Sequence, residues 1–267
     1  MEGALTHGSL FSGIGGIDLG LEWAGFETSW QVEINPFCNK ILEKRWPNVP
    51  RFLDVKSVGK HNLQPVDLIS GGFPCQDISV AAGGQERGLH RERSGLWFEY
   101  ARIIRELQPR WVLVENVPNL KNKGADRVIS DLEEASYSCW ASVVGAEIFG
   151  APFQRERVFI LAHHNAYGTK RLGEDVGNGW TLSPELEGKV AQACQNWHYW
   201  EHELGAGNAR SSGDPEEPES DTYARGVGTV YGVPNWAHRL RALGNACTPP
   251  IPALIGAFIQ NYEKVVD

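Results

Sequence analysis

Residues 9–20 read SLFSGIGGIDLG, and this stretch decides the fold. An apolar run from Leu5 to Phe11 ends in SGIGG, after which Ile17, Leu21 and Ala24 recur at helical spacing up to Gly25. Strand, glycine turn and helix in that order open a βα unit, and the same alternation continues downstream. TSWQVEI (28–34) predicts a second strand, and Asn35-Pro36 opens a helix that runs to about Trp46. RFLDV (51–55) and VDLISGG (66–72) predict a third and a fourth strand. Leu96, Tyr100, Ile103, Ile104 and Leu107 form a helical stripe that leads into the strand WVLVENV (111–117). Val128, Leu132 and Ala135 mark a further helix. SVVGAEIF (142–149) and RVFILA (157–162) read as two strands separated by a short turn. Repeated βα units imply an α/β, Rossmann-like fold with a mainly parallel sheet covered on both faces. The last two strands are expected as an antiparallel hairpin on its edge.

Residues 165–233 differ in character. They are rich in glycine, polar residues and tryptophan and lack clean periodicity, and GDPEEPES (213–220) within them is acidic. The expected organisation is a domain built from residues 1–164 and 234–267, with 165–233 as a small separate region. Within PPIPALIGAFIQNYEKV (249–265), Ile255, Phe258, Ile259 and Tyr262 predict a final helix. The chain of 267 residues suffices for one large α/β domain with such an insert. No apolar run reaches membrane-spanning length, and MEGALTHGSL does not resemble a signal peptide. The five cysteines are scattered without CxxC spacing, which argues against a disulfide framework or a metal site and for a reducing cytoplasm. The net charge of −8 does not announce nucleic-acid binding. It averages over basic clusters at ERGLHRER (86–93) and QRERV (154–158), however, and so weighs little against it.

The glycine turn suits a ligand. Glycine allows close backbone approach, and the following helix start supplies amide donors. Glu33, at the end of the second strand, can grip ribose hydroxyls, and Asp54 closes the third strand in a similar way. A tight turn with no ligand is the plain alternative. The glycines at 13, 15 and 16 depart from GxGxxG, which favours an adenosine ligand without a pyrophosphate. S-adenosylmethionine is one such ligand, with Phe11 offering its ring to the adenine. In GGFPCQDISV (71–80), Cys75 follows a strand in a glycine-proline turn, at the edge where open α/β sheets hold ligands. That context makes it a candidate nucleophile rather than a core thiol. Glu115 and Asn116 end an otherwise apolar strand, where a carboxyl is costly unless paired or functional. Arg155 and Arg157, two apart, are expected on one strand face.

Together these blocks resemble the cytosine-5 DNA methyltransferases. SLFSGIGG, VEINPF, GGFPCQDIS, VLVENVPNL, GAPFQRERVFILA and ALGNACTPPIPALI are similar to six family motifs and occur in family order. Phe153 stands where the family has the first glutamine of its arginine motif. The stretch before the Gly-Asn block, VYGVPNWAHRLR, does not match the family pattern.

The resemblance implies methyl transfer from S-adenosylmethionine to carbon 5 of a flipped cytosine in duplex DNA, leaving S-adenosyl-L-homocysteine. Cys75, Glu115, Arg155 and Arg157 would be the catalytic set. Phe11, Ser12, Gly13, Gly15, Gly16, Glu33, Ile34, Asp54, Val55, Gly72, Pro74, Leu96 and Asn245 would line the cofactor site. Gln76, Ser79, Arg87, Arg91 and Arg93 would meet DNA from a glycine-rich loop, and residues 165–233 would be the target-recognition region. A monomeric cytoplasmic protein of bacterial or phage origin is expected, with any cognate restriction endonuclease acting separately. A tRNA-methylating branch of the family, a non-catalytic DNA-binding relative and, more weakly, a dehydrogenase are the competing readings.

Overall fold

The structure is a computed structural model and describes residues 3–74, 95–149, 154–167 and 245–266. β1 (Thr6–Leu10) leads through the glycine turn into α1 (Gly16–Trp23), followed by β2 (Glu27–Val32), α2 (Pro36–Arg45), β3 (Arg51–Phe52) and β4 (Leu68–Gly71). Next come α3 (Gly95–Leu107), β5 (Trp111–Asn116), α4 (Leu120–Lys123), α5 (Ala125–Glu134), β6 (Tyr137–Gly145), β7 (Glu156–His164) and α6 (Pro250–Val266). The sheet runs β3-β2-β1-β4-β5-β7-β6. β1 to β5 are parallel, whereas β7 is antiparallel to both β5 and β6. The expected mainly parallel sheet with an antiparallel edge pair is therefore what forms.

Alternation along the strands sorts the core into two layers. Val112, Val114, Val158 and Ile160 face α3 and α5, beside Trp97, Tyr100, Val128 and Leu132. Trp111, Leu113, Phe159 and Leu161 face α1 and α6, beside Leu21, Ile251 and Ile255. Asn35 caps α2, its side chain accepting from the Phe37 amide at 2.9 Å, with Pro36 just inside.

α6 and the residues before it close the second layer by backbone contact. A Cβ on Gly16 would run into the Cys247 carbonyl, and one on Gly20 into the Pro249 carbonyl. On α6, a Cβ at Gly256 would lie 2.8 Å from that of Ala24. At the far end of α6, Glu263 accepts from Arg110 and, at 2.6 Å, from the Trp111 indole.

Four local expectations give way. The third strand stops at Phe52, because Asp54 instead caps a 3-10 turn, Val55–Ser57, accepting from the Lys56 amide at 2.9 Å. The AEIF stretch forms a 3-10 turn, Ala146–Phe149, rather than strand. Glu147 there folds back to accept from the Arg155 amide at 3.3 Å. β6 and β7 are thus joined by ten residues (146–155), not a short turn, and Arg155 precedes β7 instead of sharing its face with Arg157.

Gly20→Ala should lower stability by about 1–3 kcal/mol despite alanine's better helix propensity, because the new methyl displaces the Pro249 carbonyl. Urea denaturation reads this as a lower midpoint at unchanged slope. A midpoint at or above that of the wild type would mean that residues 247–249 do not pack on α1.

Candidate functional site

The strand register sets the site. Leu10 pairs with Val32 on one side and with Gly71 on the other, and Gly71 pairs with Val114. The carboxyl ends of β1, β2, β4 and β5 are therefore level, and the chain leaves them along one edge. Sheet order reverses between β1 and β4, which is where open α/β sheets form a ligand crevice.

On the β1 side the backbone takes unusual conformations. Phe11 has φ 54°, Gly13 57° and Gly15 83°, three left-handed residues in five. Phe11 has no glycine freedom, so this turn stores strain, and such strain concentrates where function requires a shape. Glu33 holds the turn: Oε2 accepts from the Gly13 amide and Oε1 from the Asn35 amide, both at 2.7 Å. Burial raises its pKa above the ordinary carboxylate value, although both amides oppose this. Ser12 donates its amide to the Val32 carbonyl at 3.1 Å. Ile34 and Leu53 present exposed apolar side chains just beyond β2 and β3, and Asp54 is exposed beside them.

Beneath the turn runs a buried polar ladder. Ser9 donates to Asp18 at 3.0 Å, Gln31 donates to the other Asp18 oxygen at 2.8 Å, and the His7 Nε2 meets the Ser70 hydroxyl at 2.7 Å. Burial pushes Asp18 up to about 6 and His7 down to about 3. The reading of the sequence missed these residues, although polar His7 and Ser9 on a buried strand were the available signal.

On the β5 side, Glu115 is only 6% exposed. Arg157 meets it with Nε 3.0 Å from Oε1. The antiparallel register makes this possible: Val158 pairs with Asn116, so Arg157 stands one residue past the β5 end. Contact between the pair is one of charge more than of a well-aimed hydrogen bond. Burial lifts Glu115 to about 7, against the pull of Arg157 and then Arg155. Gly72 leaves room for it, since a Cβ there would lie 2.5 Å from Glu115 Oε2. Asn116, expected only as a strand end, does more: its amide donates to the Phe73 carbonyl at 2.9 Å, and its oxygen accepts from the Val117 amide. Phe73 in turn packs on Trp97 of α3, with ring centroids 5.3 Å apart. Arg155 points elsewhere, donating to the Ala246 carbonyl, and so ties the residues before α6 to the β7 end.

Of the residues expected at the cofactor site, Phe11, Ser12, Gly13, Gly15, Gly16, Glu33, Ile34, Asp54, Val55, Gly72 and Pro74 lie along this edge. Leu96 opens α3, and Asn245 is exposed ahead of α6. Cys75, Gln76, Ser79, Arg87, Arg91 and Arg93 lie outside the described residues, as does Phe153. Among the described residues, no group of His, Cys, Asp and Glu side chains is placed to hold a metal ion. No helix among them is long and apolar enough to cross a membrane.

A crystal structure of a prophage-encoded E. coli protein, assigned as a DNA modification methyltransferase, superposes with a TM-score of 0.55 at 27% identity. The match covers 68% of this chain and 52% of that one. The fold is that of a Rossmann-like methyltransferase. The model of the C-5 cytosine-specific DNA methylase family matches residues 5–196, and the chain belongs to that family. A type II methyltransferase of Bacillus subtilis, M2.BsuMI, is 35% identical over 223 residues, covering 78% of this chain and 54% of the relative. The type II methyltransferase M.HhaI of Haemophilus parahaemolyticus is 31% identical over 160 residues, covering 58% of this chain and 48% of the relative. The chain spans about half the length of these curated relatives.

Because Glu115 titrates near 7 in the fold against an ordinary 4.5, its neutral form is the one the fold favours. Its contribution to stability is complete below about pH 4 and is lost as pH rises through about 7. Wild type should therefore lose melting temperature relative to Glu115→Gln across that window. A difference between the two that does not change with pH would place the carboxyl in a wetter setting than the geometry gives.

Proposed function

We propose that the chain is a DNA (cytosine-5-)-methyltransferase that uses S-adenosylmethionine. One observation carries the reading furthest: a buried carboxyl lifted to about 7 stands with Arg157 at the β5 end, beside the backbone that leads into Cys75. Family membership supplies the reaction class.

The residues at the β1 side fit the cofactor. The Gly13 Cα faces open space, Glu33 is set at the turn, and Ile34 and Leu53 offer apolar surface suited to an adenine. S-adenosylmethionine supplies an electrophilic methyl group when bound. Phe11, Gly13, Glu33 and Asp54 would orient it, with Leu96 and Asn245 completing the surround.

Carbon 5 of cytosine is a weak nucleophile until carbon 6 is attacked. The Cys75 thiolate would add there, making the ring enamine-like so that carbon 5 can take the methyl group; loss of the carbon-5 proton to a base would then expel the thiolate and restore the ring. Glu115, near half-protonated at neutral pH, would share a proton with ring nitrogen 3 as negative charge develops. Arg157 would hold both Glu115 and the carbonyl oxygen of the base. Arg155 would act by bracing Ala246 rather than by touching the base. The cytosine must leave the duplex to reach this edge, and Gln76, Ser79, Arg87, Arg91 and Arg93 would hold the DNA around it. Residues 165–233 would read the target. The protein would work as a cytoplasmic monomer in a bacterial or phage modification system, with any paired endonuclease separate.

Cys75→Ala should abolish transfer of labelled methyl groups to duplex DNA while leaving S-adenosylhomocysteine binding intact. Glu115→Gln should slow transfer about a hundredfold or more. Methylation by the Cys75 variant at the wild-type rate would refute the covalent route. Incorporation into tRNA but not DNA would move the protein to the RNA branch, and bisulfite sequencing would give the site.

A further inference from the structure

α3 serves the edge at two places. Its first turn carries Trp97 against Phe73, and Trp97 is fixed by donating to the buried Asp131 at 2.7 Å. Further along, Arg102 reaches across to the turn that carries Asp54 and Val55. Its Nε donates to Glu99 and its Nη1 to Glu106, both at 2.8 Å, so the guanidinium is locked by acids on its own helix. Nη2 is thereby aimed off the helix, donating to the carbonyls of Val58 at 2.8 Å and Val55 at 3.2 Å.

The Val55 carbonyl belongs to the 3-10 turn that Asp54 caps, and Val58 follows that turn directly. The end of such a turn leaves carbonyls without backbone partners, and a cation there is favourable. Gly59 closes the joint: a Cβ would run into Glu106 Oε2 and lie 2.9 Å from Arg102 Nη1. Glu106 also accepts from the Lys60 amide at 3.0 Å. Val55 and Val58 are buried, which fixes the depth of the turn. Apolar burial is not directional, so the orientation of the turn falls to these hydrogen bonds. β3, the strand before it, pairs over only two residues and adds little restraint.

We propose that Arg102 is a positioning residue for the cofactor, setting the stance of Asp54 and Val55 toward the adenine end. The inference rests on the S-adenosylmethionine reading above. Lysine cannot replace it, because a point charge cannot meet two acids and two carbonyls at once.

Two variants approach the joint from opposite sides. Arg102→Met removes the fork, and Gly59→Ala sets a methyl group against the Glu106 and Arg102 ends that form it. Calorimetric titration of the whole protein with S-adenosylhomocysteine, and with its inosine analogue, reads both affinity and base preference. Each variant should weaken S-adenosylhomocysteine about tenfold, the scale of lost hydrogen bonds to a charged group. Each should also narrow the preference for adenine over hypoxanthine and raise KM for S-adenosylmethionine, with kcat and the KM for DNA within about twofold. A lowered melting temperature with wild-type affinity and preference overturns the proposal and leaves Arg102 a strut. Loss of kcat with unchanged preference overturns it as well. Wild-type protein that binds neither ligand would instead refute the cofactor reading itself.

Discussion

A carboxyl at the end of a buried strand needs a cation, and much of this structure is arranged to bring one. Glu115 sits on β5, a strand covered on both faces, where ionisation is costly without compensation. A parallel neighbour entered through a crossover would present its own carboxyl end at this edge. β7 runs the other way, so its first residues arrive there with Arg157. The partial charge balance that results leaves Glu115 poised between two protonation states. The residues before β7 then extend the same arrangement through Arg155 to Ala246.

The β1 side follows a different rule, in which space rather than charge decides. The turn after β1 is shaped by left-handed residues and held by one carboxylate that two amides occupy. Both sides share a device: a polar side chain fixes backbone, and the backbone fixes the surface a ligand would meet. Glu33 does so for residues 11–15, Asn116 for the carbonyl two residues before Cys75, and Arg102 for the turn after β3.

Much of this was legible in the sequence because it rests on periodicity and on costly residues. Alternating strands and helices, Asn35-Pro36 as a helix start, and Glu115 at the close of an apolar run each follow from local rules. Other features were hidden because their partners are distant. Arg102, with Glu99 and Glu106 three and four residues away, looks like an ordinary solvated helix face. Only the fold shows that its last nitrogen meets carbonyls more than forty residues upstream. AEIF reads as strand from its apolar residues, but Glu147 turns back to the Arg155 amide and ends the strand there. RFLDV forms strand only at Arg51–Phe52 because Asp54 offers its side chain to the backbone, a local competition that propensity alone does not resolve.

The contact between α1 and the residues before α6 bears on how the protein is made. Gly16 and Gly20 are apposed to the carbonyls of Cys247 and Pro249, which lie far away in the sequence. During synthesis, α1 emerges early with an apolar flank that has no cover until those residues follow. Closing so long a loop is slow, and surface left open meanwhile invites association. That layer therefore depends on residues made long after α1, and on a ribosome stalled before residue 247 the second face of the sheet would be covered, among the described elements, by α1 alone.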